Sequence, residues 1–174
     1  FSVDGSKIVL KYGQHSFSIS TDGGQSWVER VDPVHSTVLI SPDGSFLVSC
    51  SGSGGATGYT TNISTDDGQT WTQKGTVTTV LSCPRYVSNN GSMIIQNYGD
   101  MAKSTDYGQT WTETPGVLNV NVLPTSFSNN GNNIFEGDRI SLDGGNHWTP
   151  SNAPIPAGYI AYQTGISDDG KKLF

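Results

Sequence analysis

The chain has 174 residues, with 22 Gly and 8 Pro spread along its whole length, 33% hydrophobic residues and a formal net charge of −6. That apolar content supports a packed core and excludes a disordered chain; no apolar run approaches the roughly 18 residues of a membrane-crossing helix, and heptads are absent, so neither a membrane span nor a coiled coil is expected. Nine basic residues against 15 acidic ones leave no basic face to gather phosphates, which excludes nucleic acid as a partner.

In chain order the sequence alternates two kinds of turn. The short kind is Ser2-Val3-Asp4-Gly5, Ser41-Pro42-Asp43-Gly44, Ser88-Asn89-Asn90-Gly91, Ser128-Asn129-Asn130-Gly131 and Ser167-Asp168-Asp169-Gly170, each followed by a short apolar run. The long kind is Ser20-Thr21-Asp22-Gly23-Gly24-Gln25-Ser26-Trp27, with ungapped copies at Ser64 to Trp71, Ser104 to Trp111 and Ser141 to Trp148. All four Trp residues of the chain belong to it. From Asp22 to Asp66, Asp106 and Asp143 the steps are 44, 40 and 37 residues, near the period of roughly 40 to 45 expected for four-stranded propeller blades.

The long turn has a physical reading as a hairpin. Its Asp (Asp22, Asp66, Asp106, Asp143) can accept hydrogen bonds from turn amides. The Gly two positions on (Gly24, Gly68, Gly108, Gly145) supplies positive φ, and the Ser/Thr hydroxyl satisfies another backbone group. His147 stands in the hydroxyl position of the fourth copy. The Trp (Trp27, Trp71, Trp111, Trp148) then restarts a strand and is expected to pack between neighbouring blades, since an exposed indole forfeits a few kcal/mol of burial.

The pattern Ser-x-Asp-x-Gly-x-(Ser/Thr)-Trp resembles the Asp-box, or bacterial neuraminidase repeat, over nearly the whole chain. The resemblance implies an all-β propeller of four-stranded antiparallel blades, like those of sialidases, xyloglucan hydrolases, sortilin-like receptors and photosystem assembly factors. It places each box on the hairpin between third and fourth strands, at the rim away from the ligand face. In that register the first strand of a blade precedes a short turn, as in Val38-Leu39-Ile40, and the second follows it, as in Phe46-Leu47-Val48. The third strand carries Phe17-Ser18-Ile19, Thr61-Asn62-Ile63, Met101-Ala102-Lys103 and Arg139-Ile140. The fourth strand is expected to begin at the Trp, and no helix is expected. Blade periods fall at about 1–34, 35–76, 77–115 and 116–152, with the start of another at 153–174. About four blades are thus expected, as one domain or fragment forming part of a larger ring, whose open edges could mediate self-association.

The same resemblance selects the loops joining blade to blade and those joining second to third strands as the ligand face. Tyr59, Arg85, Tyr98 and Asp100 are the binding candidates, since tyrosine beside small polar residues suits stacking on a sugar ring or a protein contact. If the protein were a glycosidase, Asp100, Glu136 and Asp138 would be its carboxylates, because that chemistry needs an acid pair flanking a cleft at about 5 to 10 Å. Sialidase chemistry needs three converging arginines, and Arg30, Arg85 and Arg139 occupy different blade positions. His15 and His35 lack metal-ligand spacing, and Gly52 to Gly58 lacks the Lys of a phosphate loop, so neither metal nor cofactor is expected.

Cys50 and Cys83 permit one disulfide, and Asn62 and Asn90 satisfy the N-glycosylation rule, which together favour a secreted protein. No acid/base pair, metal cluster or nucleophile stands out. The expected function is a non-catalytic extracellular module recognising a glycan or a protein. The alternatives are a secreted glycoside hydrolase with part of its site elsewhere, and a structural subunit of an extracellular assembly.

Overall fold

The computed structural model of the chain describes residues 1–13, 15–31, 37–52, 58–77, 83–98, 100–114, 125–136, 139–151 and 165–172. These residues form fifteen strands and no helix. The first sheet, β1-β2-β3, has three strands: β1 (Ile8–Tyr12), β2 (Ser16–Ser20) and β3 (Val28–Val31). The second contains β4 (Val38–Ile40), β5 (Leu47–Ser51), β6 (Tyr59–Ser64) and β7 (Thr72–Val77). The third contains β8 (Pro84–Val87), β9 (Ile94–Tyr98), β10 (Asp100–Ser104) and β11 (Thr112–Thr114). The fourth contains β12 (Thr125–Phe127), β13 (Ile134–Glu136), β14 (Arg139–Ser141) and β15 (Thr149–Pro150). Every sheet is an antiparallel meander in chain order. The chain divides into a unit of residues Phe1–Leu118, which holds the first three sheets, and a unit of Asn119–Phe174, which holds the fourth.

In the first unit the sheets stack face to face, and the strand period of two decides which neighbour each side chain meets. Leu47 of β5 joins Phe17, Ile19 and Val38 in one cluster, with Val9, Ile40 and Trp71 packed against it. The next residue, Val48, joins Ile63, Val87 and Ile94, with Leu39, Phe46 and Trp111 packed alongside. Leu47 to Cys50 are therefore all buried, because a sheet covered on both faces needs apolar or small residues at every position. Phe17 fills the centre of the first interface. It is fully buried and meets Trp71 edge-on with ring centroids 6.2 Å apart.

Two details differ from the sequence expectation. The outer strands β3, β7, β11 and β15 begin one residue after the Trp, because the indole closes the turn: Nε1 of Trp27, Trp111 and Trp148 donates to the carbonyl of Gly24, Gly108 and Gly145 at 3.1, 3.2 and 3.1 Å. Trp71 alone has a buried Nε1 without a partner. Burial of the indoles is also uneven, since Trp71 and Trp111 lie between sheets whereas Trp27 remains 43% exposed.

Cys50 in β5 and Cys83 ahead of β8 form a disulfide with Cα atoms 5.6 Å apart, joining the second sheet to the third. In the second unit, Asn133 donates through Nδ2 to the carbonyls of Ser167 and Asp168 at 3.2 and 2.8 Å, which holds the short turn at 167–170 against the fourth sheet.

Candidate functional site

Antiparallel pairing gives each sheet two distinct ends, one carrying the long repeated turns and the other the hairpins between second and third strands. At the long-turn end the side chains of contiguous residues satisfy the backbone. Asp66 Oδ1 accepts from the Thr70 amide at 2.9 Å, Asp66 Oδ2 from the Thr70 hydroxyl at 2.6 Å, and Ser64 Oγ from the Gly68 amide at 2.8 Å. Asp22 and Asp106 repeat the arrangement with Ser26 and Thr110. Hydrogen bonding to Ser26, Thr70 and Thr110, side chain first and then amide, lowers the carboxyl pKa of Asp22, Asp66 and Asp106 to about 2 in each case.

In the fourth copy the imidazole of His147 replaces the hydroxyl. Its amide donates to Asp143 Oδ1 at 2.9 Å and its Nδ1 meets Oδ2 at 2.5 Å, so these bonds hold that carboxyl below the ordinary range as well. The short turns work likewise. Asp43 Oδ1 accepts from Ser41 Oγ and from the Ser45 amide, and Asn90 fills the same place between Ser88 and Ser92.

One position of the long turn reaches beyond it. The residue after the Asp is Gly23, Asp67, Tyr107 or Gly144, and all four have positive φ. Asp67 and Tyr107, at 56° and 61°, carry a side chain in a region that costs roughly 1 kcal/mol or more. Each uses that side chain to hold the preceding sheet. Asp67 Oδ1 pairs with Lys7 Nζ at 2.6 Å, and its carbonyl accepts from Arg30 Nε at 3.2 Å. Tyr107 stacks on Phe46 with centroids 5.4 Å apart and planes at 29°. Sequence reading missed these residues. The available signal was the break in the repeat itself, where two copies forgo the glycine that the backbone prefers.

The opposite sheet end holds the sequence-selected candidates. Tyr59 opens β6, while Tyr98 and Asp100 flank the β9–β10 hairpin and are paired in register. Arg85 is exposed at an irregularity in β8, where the register shifts between Pro84 and Tyr86. The disulfided Cys50 is one residue from the end of β5 at this same end. In the second unit Glu136 is buried and lies opposite Arg139 in register, and Asp138 falls outside the described residues. So do His35 and the loop at 53–57.

The two glycosylation candidates part company. Asn90 is exposed in its turn, whereas Asn62 is 7% exposed within β6 and directs Nδ2 at Ser51 Oγ and the Thr60 carbonyl, a packed position with no room for a glycan in the folded sheet.

The architecture, antiparallel meanders of which the three in the first unit stack as successive blades, is that of a partial β-propeller. No protein-family model matches the sequence, and no curated protein does. Solved structures do. A structure titled YCF48 bound to D1 peptide superposes with a TM-score of 0.63 at 20% identity, covering 99% of this chain and 59% of that one. The GH74 enzyme of Niastella koreensis gives 0.58 at 22% identity over 87% of this chain and 23% of that one. The GH74 xyloglucanase from Xanthomonas campestris gives 0.57 at 13% identity over 92% of this chain and 31% of that one. The chain thus spans a quarter to three-fifths of the length of these structures, and likeness at such identity establishes the fold alone.

Proposed function

We propose that the chain is a non-catalytic binding or assembly module acting outside the cell, which recognises a glycan or another protein through the sheet end opposite the repeated turns. The observation that carries this reading is where the acidic residues are spent. Asp4, Asp22, Asp43, Asp66, Asp106, Asp143 and Asp169 are all bound into turns with lowered pKa values. A carboxyl held in its ionised form by turn donors is a poor proton donor, and glycoside hydrolysis needs one acid with a raised pKa. We read the four long turns as Asp-boxes, structural devices that leave the far end for recognition by Tyr59, Arg85, Tyr98 and Asp100. The D1 peptide bound by YCF48 supports a protein ligand, and the disulfide suits an oxidising, extracellular compartment.

The test is retention of the chain on immobilised glycans and peptides without turnover, with Tyr98→Ala and Tyr59→Ala each weakening it. Release of reporter from xyloglucan or sialoside substrates would replace this reading with the second one, a secreted hydrolase with part of its site outside this segment. The two GH74 neighbours favour that alternative, and Glu136→Gln should then abolish release. Self-association through the first sheet, a third reading, is supported by its exposed Leu10, Tyr12 and Val31 at 56%, 42% and 69%. Sedimentation of wild type against Leu10→Glu tests it.

A further inference from the structure

The sheet interfaces of the first unit are built alike, yet their grooves at the long-turn end differ. Between the first and second sheets the groove is filled by charge, with Lys7 on Asp67 and Arg30 on the Asp67 carbonyl. Between the second and third sheets the corresponding positions are Phe46 for Lys7, Lys74 for Arg30 and Tyr107 for Asp67, and Thr72 stands where the first sheet has Val28. A cavity of about 290 Å³ opens there, walled by Phe46, Thr65, Thr72, Lys74, Tyr107 and Gln109. Its walls are fixed relative to each other, because the Gly75 amide donates to the Gly108 carbonyl at 2.7 Å across the interface.

We propose that this groove is a binding site for a single hydroxyl-rich ring, the terminal residue of a saccharide. Its size lies at the lower edge of ligand pockets, which run from roughly 300 to 1,000 Å³, and so suits one ring and not a chain. Its polar lining is mostly of groups that both donate and accept, as sugar hydroxyls themselves do: the Thr65 and Thr72 hydroxyls, and the Gln109 amide, whose Nε2 donates to the Asp106 carbonyl at 3.1 Å and whose Oε1 is an acceptor. The Lys74 ammonium adds a charged donor group to the lining. The Tyr107 ring, stacked on Phe46 and still 38% exposed, offers apolar surface to the ring's C–H groups. This site lies at the sheet end opposite the recognition face proposed above and does not depend on it.

The test is titration of the ¹⁵N-labelled chain with the methyl glycosides of glucose, galactose and xylose, each to ~50 mM, a range set by millimolar binding of so small a ligand. Saturable shifts are expected at Thr72, Lys74, Tyr107 and Gln109. Tyr107→Gly removes the ring while placing at φ 61° the residue that two other copies carry, and Thr72→Val removes only a hydroxyl. Each should weaken binding about tenfold or more, the equivalent of one lost contact. Shifts confined to Tyr59, Arg85 and Tyr98, no saturable shift with any of the three glycosides, or affinities unchanged in both variants would overturn the assignment.

Discussion

Replacing Gly75 with Ala should separate the second and third sheets at the long-turn end. Gly75 lies in β7 with φ outside the left-handed region, so the substitution carries no left-handed strain and its destabilising effect starts from a steric clash. An added Cβ would collide with the backbone carbonyl of Gln109 and approach the Gly108 oxygen to 2.9 Å. Neither neighbour is a flexible side-chain end that could swing aside. Overpacking of this kind costs about 1 to 3 kcal/mol, and pushing the strands apart forfeits the 2.7 Å Gly75–Gly108 hydrogen bond, worth about 1 kcal/mol. Restricting the unfolded chain offsets about 0.4 to 1 kcal/mol. The net loss is about 1 to 3.6 kcal/mol, which for a protein of this size lowers Tm by roughly 2 to 14 °C. Calorimetry of Gly75→Ala against wild type measures it, with Gly13→Ala as the contrast, since nothing lies within 4 Å there and only its φ of +63° opposes a side chain. An unchanged Tm for Gly75→Ala would refute the claim that this close approach is required.

Three further outcomes are expected. Replacing both Cys50 and Cys83 with Ser should cost about 3 to 4 kcal/mol, from the loop entropy of a 33-residue separation; a denaturant midpoint equal to that of wild type would contradict it. The turn carboxylates set the acid limb of stability. Asp22, Asp66 and Asp106 have folded pKa values of about 2 against 3.8 unfolded, so their contribution is fully present above about pH 4 and is lost as pH falls toward 2. Thermal melts between pH 5 and 2 should show the decline, and Asp66→Asn, which keeps an acceptor for the Thr70 amide but does not titrate, should make it shallower by the share of one carboxyl. Asn133→Ala should release residues 165–172 from the fourth sheet, seen as faster amide exchange there while exchange in the first three sheets stays as in wild type.

Much of this protein was legible as a string because its turns are closed by partners within five residues. Ser64, Asp66, Gly68 and Thr70 find one another whatever the rest of the chain does, so the hairpin, its period and the strands on either side follow from local chemistry. The sheet order follows too, since short connections make antiparallel neighbours. Facing contacts between sheets were beyond that reach. Lys7 with Asp67, and Phe46 with Tyr107, are about 60 residues apart in the chain, and their pairing depends on how one twisted sheet seats on the next. Asn62 shows the same limit from the other side: its sequon reads as a surface acceptor, but β6 is covered on both faces there and Asn62 is buried along with Thr61 and Ile63. The repeating unit is readable from the residues alone, because it is held by neighbours along the backbone. Which copy of the repeat seals its groove with charge and which leaves it open is visible only in the folded chain, because that depends on side chains that meet across the gap between sheets.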